Sequence, residues 1–354
     1  MRMFRYVAKA YLKNFLIIAF ALAFLFAGLD YLQNASKLEG FNIQILYLFY
    51  KALYAFDLLF PLALVFAMIW TKVQLIRSNA LVSFYALGYG KRRVLLPFVT
   101  VAAILTAGYV ALHLTSFVHV EEEAKRLLER KHHRQITQNL FLKYNGSFVY
   151  IGRLIPENRL ARKIRIYRFE QNGSMRIVRG DVARFDGKAW TIPVAEIVKK
   201  PKIEGLGGAG LQRSREREYR TLEGFKPGIL SSVFEGKSHY SIPAAVESIK
   251  LLSAQGLDTD SIRTLLYHMT VTPLFALCLV IIFFIVIPPH ARSANLLAIT
   301  FLLTGITLFT WGILYLLYRV SRNGVVSPEW GSLAVIALLA ATALYYLSVR
   351  PDKI

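Results

Sequence analysis

Cysteine and acidic side chains are scarce in this sequence. The 354 residues include one cysteine, Cys278, so no disulfide can form within the chain. Lysine and arginine number 43 against 22 acidic residues, which gives a net charge of +21. Charge of this size is typical of nucleic-acid binders, but here many of the cations flank apolar segments. The distribution therefore predicts a membrane protein, with no nucleic acid among its partners.

Motifs for catalysis, nucleotide binding or metal binding are also absent. Gly88–Lys91 looks like the end of a phosphate-binding loop, but Tyr85 stands where its first glycine is required and Arg92 replaces Ser or Thr. The pair His132-His133 lacks the HExxH spacing of a zinc site, and no GxSxG is present. The sequence therefore predicts no enzyme and no cofactor or metal site.

Long apolar runs are what the sequence has in abundance. Hydrophobic residues make up 55% of the chain, against about 45–50% in soluble proteins. Runs of about 20 apolar residues can cross a hydrocarbon core of roughly 30 Å. They lie near residues 14–32, 52–70, 94–118, 269–288, 294–318 and 331–349. The pattern predicts a polytopic α-helical membrane protein with six transmembrane helices, the first of which is too long for a cleaved signal core.

The basic residues that flank these runs predict the orientation. They precede the first run, separate the second from the third and the fourth from the fifth, and follow the sixth: Arg2, Arg5, Lys9, Lys13, Lys72, Arg77, Lys91, Arg92, Arg93, Arg292, Arg350 and Lys353. The loop after the first run has only Lys37 against Glu39. Because cytoplasmic loops carry the excess of lysine and arginine, both termini are expected in the cytoplasm.

Residues 119–263 differ in kind, with 27 basic and 17 acidic residues. They begin with a charged segment, interpreted as an extension of the third membrane helix with Glu121–Lys125 and Glu122–Arg126 pairs. Period-2 patterning follows, and the turns Asn172-Gly173 and Asp186-Gly187 indicate hairpins. The four patterned segments are 148–155, 163–170, 175–185 and 188–198. They predict a β-sandwich or jelly roll outside the cytoplasm, followed by a helix from Ser241 to near Gly256.

The predicted organisation has three parts. Transmembrane helices 1–3 occupy 1–118, with a short cytoplasmic helix at about 78–90. A periplasmic β-jelly-roll domain with flanking helices occupies 119–265, and transmembrane helices 4–6 occupy 266–354.

Two groups of residues are candidates for function. The segment LVSFYAL at 81–87, which Gly88 follows, is expected to form a helix that offers an apolar face to a cytoplasmic partner. That face comprises Leu81, Val82, Phe84, Tyr85 and Leu87. The second group lies at the predicted outer membrane edge, where basic side chains serve as anchors or bind anionic lipid headgroups. It comprises Lys37, Lys51, Arg263, Arg319 and Arg322.

Two ionisable residues, Asp57 and His113, fall inside apolar runs. Ionisable groups are costly there and are often functional. Asp57 lies one turn before Pro61, and His113 lies near the outer end of the third helix. Neither residue predicts a proton relay by itself.

The chain resembles the lipopolysaccharide-export permease family, LptF/LptG, over nearly its whole length. FRYVAKAYLKNF at 4–15 looks like the family's opening, and Phe60-Pro61 matches its FFP motif. FVYI, IYRFE and ARFDGKAW, at 148–151, 166–170 and 183–190, look like its β-domain. IPAAVESIKLLSAQGLD at 242–258 and IPPHARSANL at 287–296 resemble the segments before helices 4 and 5. The segments at 242–258 and 148–190 look closer to LptG than to LptF.

The resemblance implies a permease subunit of an ABC exporter in the inner membrane of a Gram-negative bacterium. Its implied partners are an LptF-like permease, an LptB-like cytoplasmic ATPase dimer, and LptC-like and LptA-like bridge proteins. Lipopolysaccharide would enter between helices 1 and 5 and pass to a periplasmic jelly-roll bridge. The family's coupling helix has an acidic residue where this chain has Ala80, so apolar contact would carry the docking here.

Two other classes of protein fit parts of the pattern. One is a mechanotransmission-type ABC permease, which usually has four membrane helices. The other is a membrane scaffold for periplasmic partners, which needs no ATPase. A topology map tests the first and a pull-down tests the second.

Overall fold

The chain divides into two compact units. The computed structural model describes residues 2–128, 137–156, 158–170, 174–201, 210–227, 240–289 and 295–349. One unit comprises Met1–Arg130 and Asp260–Ile354, and the other, Lys131–Thr259, is inserted between these segments. Some residues used in the predictions lie outside the described ranges: His132, His133, Asn172, Gly173, Arg292, Arg350 and Lys353.

Helices make up the described part of the first unit. In chain order the helices are α1 Arg2–Asn34, α2 Phe41–Arg77, α3 Ala80–Ala86, α4 Lys91–Leu112, α5 Val120–Leu128, α6 Ile242–Ala254, α7 Asp260–Thr270, α8 Leu274–Val286, α9 Leu296–Arg322 and α10 Ala334–Val349. Of these, only α6 belongs to the second unit. Short 3₁₀ turns lie at Ala35–Lys37 and Ser116–His119, and a π-helical turn at Glu329–Leu333 precedes α10.

Several of these helices are long and apolar enough to cross a membrane. Among the described residues, α1, α2, α4, α9 and α10 with its preceding π-helical turn (Glu329–Val349) meet this description, and α7 with α8 forms a pair bent by 41° that counts as a sixth if it is one span. The helical membrane class predicted from the sequence is confirmed, while the six-pass topology stays a prediction. At 37 residues, α2 is about 55 Å long and extends well beyond its apolar run.

The predicted extension of the third membrane helix is wrong. Helix α4 ends at Leu112, and Thr115 has an extended backbone whose side-chain oxygen accepts a hydrogen bond from the Phe117 backbone N–H at 3.2 Å. This local bond stabilises the break, and α5 starts as a separate helix. The predicted pair of Lys125 with Glu121 is present in α5 at 2.5 Å.

The core of the helical unit is built on α1 against α2. Ala19, Ala23 and Ala27 recur every four residues on the buried face of α1, and such small side chains let two helices approach closely. A hydrogen bond also joins the two helices, since the Tyr11 hydroxyl donates to the Leu64 carbonyl at 2.9 Å. Packing of this kind fixes the depth of α1 relative to α2.

The second unit contains one antiparallel sheet. Its strands are β1 Thr137–Tyr144, β2 Ser147–Ile155, β3 Leu160–Phe169, β4 Met175–Phe185, β5 Trp190–Lys200 and β6 Gln212–Thr221, each paired with its neighbours in chain order. The four predicted strands match β2–β5, and β1 and β6 were not predicted. The described strands form a single meander, so the jelly roll stays a prediction.

The buried face of the sheet is apolar and tightly packed. Ile164, Ile166 and Trp190 are nearly inaccessible there, and the Trp190 indole N–H donates to the Phe225 carbonyl at 2.7 Å. Gly180 is required on β4 because a side chain at that position would overlap Ile192. The predicted turn at Asp186 is confirmed, since its carboxylate accepts hydrogen bonds from the Lys188 and Ala189 backbone N–H groups.

Candidate functional site

Helix α3 is a short element between two long helices. Asn79, in the left-handed conformation with φ 57°, turns the chain out of α2, and its carbonyl accepts a hydrogen bond from the Ser83 hydroxyl at 3.0 Å. At the other end, the Tyr89 N–H bonds to the Phe84 carbonyl and the Gly88 N–H to the Tyr85 carbonyl. This is a Schellman cap, in which Gly88 adopts φ +81° at low cost.

The side chains of α3 divide into a buried anchor and an exposed face. Leu81 is fully buried in the core of the helical unit, so the prediction that it lies on the exposed face is wrong. Phe84 is half-buried and packs edge-on against Tyr6 of α1, with ring centroids 6.2 Å apart. Val82 and Leu87 are exposed, Leu87 at 73%. Helix α3 therefore presents a small apolar face on a base that is fixed to the core.

Tyr85 lies on the inner side of α3, where it lines a cavity with cations from α2 and α4. Burial raises the pKa of Tyr85 to about 12, so its phenol stays protonated at neutral pH. A protonated phenol can donate a hydrogen bond into the cavity.

Lys72 is buried inside α2. The orientation prediction placed it between the second and third apolar runs, in a loop, and that placement is wrong. The Lys72 ammonium group donates to the carbonyl of Phe284 and, at 2.6 Å, to that of Ile287. These carbonyls lie at the end of α8, where unpaired helical carbonyls favour a cation. Lys72 thus ties α2 to the end of α8. Lys72 lies five residues before the end of α2 and just after the apolar run 52–70, which was the signal for this role.

At the opposite end of α1 and α2, Lys51 forms an ion pair with Asp30. The two groups are 3.0 Å apart, and the Tyr47 hydroxyl also donates to the Asp30 carboxylate. Lys51 is only 8% exposed. The ion pair therefore joins α1 to α2, and the predicted headgroup contact at Lys51 would have to compete with Asp30.

The other predicted headgroup residues are more accessible. Lys37 is exposed and donates to the Asn34 side chain at 3.2 Å, and Arg319 is exposed in the last turn of α9. Arg322 donates to the Tyr318 hydroxyl at 3.2 Å. Arg263 pairs with Asp260 and Glu329, which holds the start of α7 against the turn before α10.

Asp57 and His113 are brought together by the fold. His113 Nε2 lies 3.1 Å from the Asp57 carboxylate, and His113 Nδ1 lies 3.0 Å from the Tyr109 carbonyl. Since a carbonyl only accepts, the contact between Nδ1 and the Tyr109 carbonyl is a hydrogen bond when Nδ1 carries the proton. Sequence reasoning noted both residues and missed their pairing, because α2 and α4 meet only in the folded chain.

These observations define a helical membrane protein that carries an inserted antiparallel sheet domain and a short, partly apolar helix between two candidate spans. A family model described as lipopolysaccharide export system permease LptF/LptG matches residues 5–349, and the chain belongs to that family. The family is the permease of the lipopolysaccharide export system. The match describes LptF and LptG together, so the closer resemblance to LptG stays a prediction. No curated protein matches the chain.

Proposed function

We propose that this chain is a permease subunit of an ABC exporter that extracts lipopolysaccharide from the inner membrane. A separate cytoplasmic ATPase dimer drives it, and a second permease completes the membrane channel. The lipid passes to a periplasmic bridge of β-jelly-roll domains, of which residues 119–265 form one. The observation that carries the proposal is the family match over residues 5–349.

Helix α3 supports the coupling step. Buried Leu81 and half-buried Phe84 fix it to the core, while Val82 and Leu87 face outward. A force applied to the exposed face is expected to reach α2 and α4, because α3 is joined to both by short turns and its Leu81 and Phe84 pack in the shared core. Ala80 supplies no charge, so docking relies on the apolar side chains.

The exposed faces of α1 and α9 support lateral entry of lipid. In their most apolar windows, only 22% of α1 and 11% of α9 is buried, against 56% of α2. α10 is similarly open, at 17% with its preceding turn. Large apolar faces of this kind are expected to contact acyl chains or the paired permease.

Headgroup contacts in this proposal come from Lys37, Arg319 and Arg322. Each lies at a helix end, and anionic headgroups are attracted to basic residues at that depth. Lys51 acts mainly through its ion pair with Asp30. Both chain termini are cytoplasmic in this arrangement.

A mild detergent pull-down of the tagged full-length chain, followed by mass spectrometry of proteins and lipids, tests the proposal. The expected result is an ABC ATPase, a second permease and lipopolysaccharide in the same particle. Recovery of periplasmic proteins without any ATPase would instead favour the membrane scaffold.

A further inference from the structure

A basic cavity opens at the end of the helical unit where α4 begins. Three cations line it, Lys72, Lys91 and Arg92, together with the phenol of Tyr85. None of the described residues that line it is acidic. The cavity encloses about 460 Å³ including its open mouth. Its surface therefore suits an anion.

An apolar groove continues from this cavity along α4. The two share Arg92, Leu95 and Leu347, and the groove encloses about 870 Å³ including the space open to its surroundings. Beyond Arg92, its walls are Leu95, Leu96 and Val99 of α4, with Ile281 of α8 and Leu344, Leu347 and Ser348 of α10. Arg92 and Val99 are about 10 Å apart along the helix axis. A cation at one end of an alkyl-lined groove matches an amphiphile with one anionic head.

The guanidinium group of Arg92, an exposed residue, lies at the junction between cavity and groove. Its Nη2 donates to the Leu347 carbonyl at 2.9 Å, which ties the start of α4 to the end of α10. An arginine has five N–H donors, so this bond orients the group and leaves donors for a phosphate. The exposed residues Leu96 and Leu344 face the surroundings of the groove, where acyl chains of a bilayer would lie.

We propose that this site binds an anionic phospholipid. Arg92 and Lys91 hold its phosphate, and one acyl chain lies in the groove between α4, α8 and α10. The depth fits, because Arg92 lies in the first turn of a span and basic residues at that position lie at the headgroup level. This binding does not depend on the proposed function, since it requires neither an ATPase nor lipopolysaccharide.

Native mass spectrometry of the delipidated full-length chain tests the proposal. The chain is purified with the subunits that accompany it and titrated with dioleoylphosphatidylglycerol, with dioleoylphosphatidylcholine as the uncharged comparison. Arg92→Gln is expected to weaken phosphatidylglycerol binding about fivefold or more. The matched control Arg93→Gln removes the same charge from an exposed residue that does not line the cavity, and is expected to change binding less than twofold.

Two further measurements separate loss of lipid binding from misfolding and locate the bound acyl chain. Arg92→Lys retains the charge and should bind more tightly than Arg92→Gln, which separates loss of the anion contact from misfolding. A phosphatidylglycerol with a photoreactive acyl chain should label peptides containing residues 95–99 and 344–348. Equal effects of the Arg92 and Arg93 variants, equal binding of both lipids, or labelling elsewhere would overturn the proposal. So would displacement of the lipid by the ATPase together with weaker ATPase binding by Arg92→Gln, because the cavity would then be a protein contact.

Discussion

Replacing Leu87 by aspartate tests how α3 meets a cytoplasmic partner. Leu87 is 73% exposed and follows the last turn of α3, whereas Leu81, six residues earlier, is fully buried in the core. Both substitutions replace a leucine by an aspartate, one at an exposed position and the other at a buried position. Leu87→Asp should leave the fold intact and remove a docking contact, while Leu81→Asp should disrupt the fold.

The size of each effect follows from burial. Burying a leucine side chain stabilises a complex by about 1.5–3 kcal/mol, so losing the Leu87 contact weakens ATPase binding roughly 10- to 100-fold. At Leu81 an aspartate would enter the core without a partner, at several kcal/mol, which is comparable to the whole stability of many proteins.

Co-purification measures the first effect and membrane extraction measures the second. The tagged chain is expressed with its ATPase, and the molar ratio of ATPase to chain is determined after detergent extraction. Leu87→Asp should lower this ratio at unchanged yield and unchanged elution in size exclusion. Leu81→Asp should lower the yield itself. Leu114→Asp is the matched control, since Leu114 is also an exposed leucine, at 53%, beyond the far end of α4.

A normal ATPase ratio for Leu87→Asp, across a range of salt and detergent, would show that the exposed face of α3 does not dock the ATPase. A normal yield of Leu81→Asp with a lowered ratio would show that Leu81, and not Leu87, faces the partner. Either result refutes the division of α3 into anchor and face.

Three more predictions concern stability. Gly180→Val should destabilise the sheet by about 1–3 kcal/mol through overlap with Ile192, seen as faster hydrogen exchange in β4 and β5; unchanged exchange would contradict the packing. Asp186→Ala should lower the melting temperature at pH 7. Backbone N–H groups depress the pKa of Asp186, so its contribution is present above about pH 4 and is lost as the pH falls through the folded pKa; a pH-independent difference would contradict this. Lys51→Met should cost about 1–3 kcal/mol, because Asp30 loses its cation but keeps hydrogen bonds from Tyr47 and Asn34, and Lys51→Met with Asp30→Asn should restore thermal stability. A double variant that is stable but has lost lipopolysaccharide would instead assign Lys51 to the headgroup.

The class of the fold could be predicted because its signals are local. Apolar runs long enough to cross a bilayer and period-2 alternation are both properties of short windows. Strand β6, QRSREREYRT, was not predicted because its side chains are charged on both faces. Its pairing with β5, and not apolar alternation, makes it a strand. The break after α4 was not predicted because no proline or glycine marks it, and a Thr115 side-chain hydrogen bond lies there instead.

The candidate site could be predicted less well than the fold. The position of α3 followed from Gly88 and the flanking spans, but which of its side chains point inward depends on where α1 and α2 lie. Leu81 and Val82 are adjacent and equally apolar, and only packing decides that one is buried. The partners of Lys51, Lys72 and His113 are likewise on other helices, at separations that no local pattern encodes.

The passage of lipopolysaccharide over the sheet domain is the central claim, and site-specific photocrosslinking tests it most directly. Tyr150 and Ile166 lie on opposite faces of the sheet, since Ile166 is 4% exposed on the apolar face and the Tyr150 hydroxyl bonds to Asn139 on the other. With a crosslinker at each position in turn, lipopolysaccharide adducts are expected to increase with ATP and to be far stronger at one of the two faces. Adducts to neighbouring protein alone, or lipid adducts that are equal with and without ATP, would contradict it.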